Sequence, residues 1–558
     1  MKDPAVTTRV LVLTMPFFHP RYPDIQSGKV SSLLKDSPEV EVTTRYANID
    51  LYQEIGSSSY DWVVDQDVQE SLHDLIAVSR DTQLFKSIKH ASSGLSKDHH
   101  EFESLSLKYA QWSEPISDEI SKGRYEYIIF SCRYKNFGPS LALAKNILVS
   151  SSQMGNKSKL IICGDYVEDR AIQEEIERLA IFDHVVLHKS LDETANAVAN
   201  IVTDDKARRV ECPTPDYSEY FSQKPNEFEK IYLTEASDKC WWYNCKFCSS
   251  RGFARGVKQR GAEKIVGEIV KAAAAHSVTN FEFTDVCLSP KLLRGLAAGL
   301  SSYDFNIFCE IKFPLTKQNV NCMSQAGIRA VQVGVESFSD SILQRIDKGN
   351  SVLDAVYGLK LLHHFEIRAT YNLMYGFPEE TEDELLATIA VATLISHLPP
   401  PENIIRMRLE LGSEYYRSYT NSGELQSSPA AALGRYADNP WGAENKPLVS
   451  ELKKVVLSWM HTRERFLTLR QGPDFVEVRD FRQEKLKIFT FPEPFAGVLV
   501  HLDAPRTRLD LEAFMHGKDS HEVSRLDEFL EECLSLGLVI RSMDSYLNIV
   551  NTEKRRSR

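Results

Sequence analysis

Short apolar runs separated by polar stretches set the rhythm of this chain. Arg9–Phe18 (RVLVLTMPFF) predicts a buried strand entering a loop with Pro16 and Pro20. Tyr125–Ser131, Lys159–Cys163 and Asp183–Leu187 predict three more buried strands. Ser140–Val149 places its apolar residues at helical spacing, and a second helix is expected over Ala171–Leu179. Such alternation predicts a doubly wound, Rossmann-like domain over residues 1–206, with any ligand beyond the carboxyl ends of its strands. Those ends carry Thr14–Pro16, Ser131–Asn136 and Gly164–Tyr166. The polar insert Asp61–Glu114 is expected to be helical.

Residues 207–229 carry Pro213, Pro215 and Pro225 and read as a linker. The alternation then resumes. Asn280–Thr284, Ile307–Ile311, Ala330–Gly334, Ala369–Met374 and Ile404–Glu410 predict strands. Ala262–Ala275, Pro290–Leu300, Ser341–Ile346, Val352–Phe365 and Thr381–Leu394 predict helices. These units predict a partial (β/α) barrel over residues 230–445, with working residues at the carboxyl ends of its strands. Asp285, Glu310, Lys312, Gln332, Glu336, Ser337, Asn372, Arg408 and Glu410 fall there. So many charged and amide groups on one rim point to a ligand site.

Residues 446–558 predict a small α+β, winged-helix-like domain. Asp474–Lys487 reads as a hairpin, Asp510–His516 and Ser520–Leu536 as helices, and Val539–Val550 as a β-wing. A DNA-reading helix should be basic. Here the longer helix carries Glu522, Asp527, Glu528, Glu531 and Glu532. Peptide docking or covering an active site are the functional options for this part, and Lys554–Arg558 reads as a disordered tail.

Composition narrows the classes. Hydrophobic residues make up 42% and charged residues 26% of the chain, as in a globular protein in water. A net charge of −12 argues against a nucleic-acid partner. No apolar run reaches the length of a membrane span, and no signal-peptide pattern is present. Ten cysteines in 558 residues do not form a disulfide scaffold, so a reducing cytoplasm is expected.

Three of those cysteines, Cys240, Cys245 and Cys248, lie in the run DKCWWYNCKFCSS. Three thiolates this close can hold three irons of a [4Fe–4S] cluster and leave the fourth open. A structural zinc ion wants four ligands. Only one C-x2-C knuckle exists, and Cys287, Cys309 and His363 offer a fourth ligand without paired spacing. Zinc and inert thiols are the alternatives to the cluster.

With this constellation the chain resembles the radical S-adenosylmethionine (SAM) superfamily. More narrowly, it resembles the enzymes with an N-terminal cobalamin-binding domain that mature ribosomally made peptides. The resemblance runs through Val10–Phe17, Ser140–Lys145, Pro213–Phe221, Cys240–Cys248, Glu310–Lys312, Val331–Gly349, Tyr371–Thr381 and His397–Pro401. Two departures stand out. The cysteine spacing is C-x4-C-x2-C, where most of the superfamily has C-x3-C-x2-C, and Leu409–Tyr416 replaces a segment usually bearing an Asp-Arg pair and Ser-Pro. A D-x-H-x-x-G run is absent, so no histidine is expected beneath the cobalt.

The resemblance implies that Cys240, Cys245 and Cys248 bind the cluster and that SAM chelates the open iron. Phe247, Glu336 and Ser337 would serve SAM, and Asp285, Gln332, Asn372 and Arg408 would serve SAM or substrate. Glu310 and Lys312 match the family's Glu-x-Lys. Met15, Pro16, Phe17, Arg133, Ser140, Gly164 and Asp165 would meet cobalamin. A 5′-deoxyadenosyl radical would abstract hydrogen from an unactivated carbon, chemistry that only a cofactor can carry. The implied partners are a ribosomally synthesised precursor peptide and an electron donor such as flavodoxin or ferredoxin, with neither nucleic acid nor membrane. C-methylation is the expected reaction, alone or coupled to ring formation. The alternatives are direct radical cyclisation or cross-linking without methyl transfer and, from another class, a zinc-containing nucleic-acid-binding protein.

Overall fold

A computed structural model describes residues 7–65, 99–132, 136–164, 176–187, 190–205, 209–237, 239–249, 258–410, 412–421, 436–437, 441, 446–462, 464–483, 485–516 and 523–552. The chain divides into two compact units. The first comprises Met1–Asp238, Gly252–Thr284 and Glu410–Ala437; the second comprises Lys239–Arg251, Asp285–Leu409 and Asp438–Arg558. The fold is α/β with parallel sheets.

In the first unit, strands β1 (Thr8–Thr14), β2 (Val40–Tyr46), β3 (Tyr127–Cys132), β4 (Lys159–Gly164) and β5 (His184–Leu187) form one sheet in the order β2-β1-β3-β4-β5. All four pairings are parallel. Side chains alternate across a strand, so a sheet covered on both faces needs apolar residues at every position. Accordingly Val10 and Val12 join one core with Val30, Leu33, Leu34 and Val198. Leu11 and Leu13 join the other with Phe130, Leu143 and Ile147. Helices α1 (Ile25–Lys35), α2 (Phe137–Gln153) and α3 (Leu191–Thr203) supply the covering side chains. The strand order reverses between β1 and β3, the topological switch point where doubly wound sheets open a crevice. Strand β6 (Ile231–Thr234), helix α4 (Ala262–His276) and strand β7 (Asn280–Phe283) belong to the same unit, with β6 and β7 parallel.

The first strand ends at Thr14 and enters the loop with Pro16, as the sequence reading has it. One strand differs. Strand β2, which the sequence reading passed over, pairs along its whole length with β1. Arg133 and Asp165 lie outside the described residues, as do most of the predicted helix 171–179 and the C-terminal tail.

In the second unit, β8 (Asn306–Lys312), helix α5 (Lys317–Gln325), β9 (Ile328–Gly334), α6 (Asp340–Arg345), α7 (Val352–His364) and β10 (Arg368–Thr370) follow in chain order. β9 pairs in parallel with β8 on one side and β10 on the other. The predicted strand Ala369–Met374 breaks at Tyr371 into β10 and β11 (Asn372–Tyr375). Helix α8 (Glu382–Leu394) leads to β12 (Asn403–Arg406), which pairs in parallel with β11. Helix starts are written into the sequence. Thr316, Ser351 and Thr381 each close a capping box with the residue three positions on, satisfying otherwise orphaned N–H groups.

The C-terminal part of this unit opens with α9 (Lys446–His461). Strands β13 (Leu467–Gln471), β14 (Phe475–Asp480) and β15 (Lys487–Pro492) form antiparallel pairs. The hairpin was expected at Asp474–Lys487; its second arm instead begins at Lys487, because polar Arg482, Gln483 and Lys485 lie in the connection. Then come α10 (Phe495–His501), β16 (Arg506–Thr507), α11 (Arg508–Phe514), α12 (Leu526–Ser535), β17 (Val539–Ser542), β18 (Ser545–Asn548) and β19 (Asn551–Thr552). Sheets run β15-β14-β13-β19 and β16-β18-β17. No described helix is long and apolar enough to cross a membrane.

Candidate active site

The second unit carries the cysteine loop, and the segment after α6 pins it in three places. Lys246 N–H donates to Ile346 O at 3.0 Å. Trp242 Nε1–H donates to Asp347 O at 2.9 Å. The Trp242 ring also lies on Gly349, where a Cβ would collide with it, and Gly349 has φ +73°, a conformation that favours glycine. A fourth tie runs from Trp241 Nε1–H to Cys287 Sγ at 3.1 Å.

All three cysteines are half-buried and unpaired by disulfides. The Cys240 thiol is pushed down to about 6. A hydrogen bond from the Cys287 thiol is the largest cause, opposed by burial and aided by the N–H groups of Tyr243 and Trp242 and by the Lys348 charge. Burial pushes Cys245 up to about 11 against the pull of Lys348. Among the described residues, no three His, Cys, Asp or Glu side chains converge as ligands of one metal ion. A cluster places one thiolate on each of three irons and so takes ligands set wider apart.

Behind the loop, Lys348 Nζ bonds Glu336 Oε1 at 2.7 Å with both side chains largely buried. A Cβ at Gly334 would strike both groups, so the glycine leaves room for the pair. Lys348 keeps its proton firmly: the Glu336 and Cys245 charges outweigh its burial. Glu336 has φ +63°, held by Met374 N–H donating to Glu336 O at 2.7 Å. Left-handed backbone at a non-glycine residue costs about 1–3 kcal/mol and concentrates at functional sites.

Glu310 and Lys312 sit two apart on β8 and so share a face. Glu310 lies opposite Gln332, and Lys312 opposite Gly334. Burial, with the charges of Cys240, Glu336 and Asp285, raises Glu310 to about 7. Burial and the nearby Lys348 charge lower Lys312 to about 8. Lys312 Nζ donates to Phe313 O at 2.6 Å and stands 4.3 Å from the Trp242 ring centroid. Phe247 lies against Lys348, 5.8 Å from its Nζ.

The predicted rim residues thus sort themselves. Glu310, Lys312, Glu336 and Asp285 gather around the cysteine loop through their charges. Among the described residues, the buried Asn372 Oδ1 has no hydrogen-bond partner, an acceptor ready for a ligand. Ser337 is engaged elsewhere: its hydroxyl pairs with Thr388 at 3.2 Å and accepts Ser339 N–H at 3.1 Å. Gln332 and Arg408 are exposed. Sequence reasoning missed Lys348, Trp241 and Trp242; Cys287, which it offered as a fourth zinc ligand, is buried beside the loop. Lys348 and Gly349 end the matching stretch Val331–Gly349, which was the available signal.

In the first unit, Met15, Pro16 and Phe17 are buried just beyond β1. Asn136 Nδ2–H donates to Met15 O at 2.8 Å, and the Ser140 hydroxyl donates to Asn136 O at 2.7 Å. Gly164 ends β4 where a Cβ would meet Cys132 O. Gln26 Nε2–H donates to Cys163 O at 2.8 Å, while among the described residues neither Gln26 Oε1 nor Asn48 Oδ1 has a partner.

Residues 235–392 match the Radical SAM superfamily. This part of the chain is a radical SAM domain. Radical SAM proteins use a [4Fe–4S] cluster and SAM. The chain is 26% identical over 156 residues to the uncharacterized methyltransferase PH0819 of Pyrococcus horikoshii, covering 27% of this chain and 34% of that protein. It therefore spans about a third of the curated relative it matches. Among solved structures, the fold resembles the cobalamin-dependent SAM radical enzyme OxsB with aqua-cobalamin and SAM bound (TM-score 0.56, 13% identity, 80% of this chain and 66% of that one). It also resembles the radical SAM methyltransferase TsrM from Kitasatospora setae with cobalamin and a [4Fe–4S] cluster bound (TM-score 0.53, 13% identity, 81% and 89%).

Proposed function

We propose that the chain is a cobalamin-dependent radical SAM enzyme that modifies an unactivated carbon of a ribosomally made precursor peptide, with C-methylation as the reaction. The observation that carries this reading is the cysteine loop, fixed by Trp242 and Lys246 against the segment bearing Lys348 inside a radical SAM domain. The folds of OxsB and TsrM support the cobalamin part.

Cys240, Cys245 and Cys248 supply three soft donors that fit a [4Fe–4S] cluster, and Lys348 offsets their negative charge. Asn372 Oδ1, Asp285, Gln332 and Glu336 offer acceptors for SAM, with Phe247 beside them. Among the described residues, the unsatisfied Gln26 Oε1 and Asn48 Oδ1 fit a large polar ligand beyond β1 and β4, where Met15–Phe17 and Ser140 lie. When bound, these groups supply a carbon-centred oxidant and a transferable methyl group. Glu310 and Lys312, both shifted toward neutrality, are placed to hold or move a proton near the reacting carbon, and Arg408 is exposed toward substrate. An electron carrier such as flavodoxin or ferredoxin completes the system. The C-terminal segment from α10 to β18 has the element order of a winged helix, and we assign it to peptide contact.

The test is metal and cobalamin analysis of protein purified without oxygen from cobalamin-fed cells, followed by assay with methyl-labelled SAM. About four irons and one cobalamin per chain are expected. Iron without cobalamin removes methylation and leaves direct radical ring closure. Zinc without iron removes the radical chemistry altogether.

A further inference from the structure

Away from the cysteine loop, the second unit contains a cavity of about 570 Å³ whose wall is strongly basic. Lys454 of α9, Arg465 before β13, and Arg482, Lys485 and Lys487 at the β14–β15 turn all line it. Among the described residues of the wall, Asp480 is the acidic one, and it is spent on Arg482, from which it accepts twice, at 2.9 and 2.7 Å. The rest of that guanidinium is tied to Leu394 O and Gly537 O, both at 2.8 Å. Among the described residues, Lys454, Lys485 and Lys487 have no carboxylate partner. Cations gathered around a concavity without counter-charge repel one another unless an anion joins them.

Among the described residues, β15 forms the edge of its sheet and pairs with β14 alone. Beside the lysines, Leu486 is 38% and Ile488 54% exposed. An edge strand offers free N–H and C=O groups to an extended chain. Lysines on an edge can serve merely to discourage association. Edge protection does not explain Lys454 and Arg465, which come from other elements and charge the same cavity.

We propose that this cavity and the β15 edge bind an acidic, extended peptide segment. Backbone pairing would run along β15, with apolar residues on Leu486 and Ile488 and carboxylates in the cavity. The identification of that segment as part of the substrate rests on the peptide reading above; the binding itself does not. A nucleic acid fits less well, because it brings no peptide N–H and C=O groups to pair along the β15 edge.

The test uses the full-length protein and fluorescence anisotropy. The probes are a labelled peptide of alternating Glu and Val, the same peptide with Lys for Glu, and a single-stranded RNA of equal length. The Glu/Val peptide binds and the Lys/Val peptide does not. Added salt weakens the complex. The double variant K485E/K487E lowers affinity about tenfold or more. Lys454→Glu, on a separate helix, repeats the loss. A Glu/Val peptide that fails to bind, or that binds both variants as it binds the wild type, overturns the proposal. RNA that binds more tightly than the peptide and is lost in the same variants overturns it in favour of nucleic acid. Iron content and SAM cleavage, measured on the same preparations, are unchanged in the variants. Failure of the radical SAM reading would instead appear in the wild-type protein, whatever the peptide does.

Discussion

Gly349 and Trp242 show how one residue governs the cluster loop from a distance. The ring occupies the space a Cβ would need, and the glycine's φ of +73° disfavours any side chain. Gly349→Ala is expected to push Trp242 off its seat and loosen the loop. The protein should still fold, because the change lies outside the buried cores, but anaerobically reconstituted iron should fall by more than about half. Iron analysis beside far-ultraviolet circular dichroism checks this; full iron loading with a normal spectrum refutes it. The cysteines were legible from spacing alone, since thiolates that close have few uses. Lys348, Trp242 and Cys287 were not, because their roles arise from contacts between segments roughly a hundred residues apart in sequence or less.

At the scale of elements, His397 ties the turn after α8 to the end of β18: its Nε2 lies 2.9 Å from Ile549 O. Burial lowers it to about 3, with Arg482, His363 and Lys360 adding positive charge and the Ile549 carbonyl opposing. The unfolded chain binds this proton near pH 6.5 and the folded one does not, so stability is full above 6.5 and falls as pH drops toward 3. His397→Asn should remove about 1 kcal/mol per pH unit of that slope between pH 6 and 5, as read from urea midpoints. Equal slopes for both proteins would show that this histidine is not the sensor. The same scale explains which elements the sequence disclosed. β1, β3 and β4 are apolar on both faces and stood out. β2 at the sheet edge alternates buried and exposed positions, and it was missed. α1 was missed for another reason: it buries Gln26, Ser27, Lys29 and Ser31, so no apolar period marks it. Lys29 tolerates burial because Asp192, at 2.6 Å, and Glu235 hold its charge.

For the whole molecule, the doubly wound sheet and the cysteine loop lie in different compact units. Each unit has its own parallel strands, and the candidate cobalamin contacts belong wholly to the first. Replacing Cys240, Cys245 and Cys248 together by Ala should therefore abolish iron binding while leaving cobalamin bound. Ultraviolet–visible spectra of the triple variant, loaded with hydroxocobalamin and desalted, provide the measurement. Loss of both would mean that cobalamin depends on the cluster region. The ties between the cysteine loop and residues 346–349 also bear on anyone who would rebuild this protein. A loop transplanted from a relative with another cysteine spacing would arrive without its seat. The two segments would have to travel as one cassette, whereas exposed Arg408, proposed to face substrate, is the position to vary when screening for new substrates.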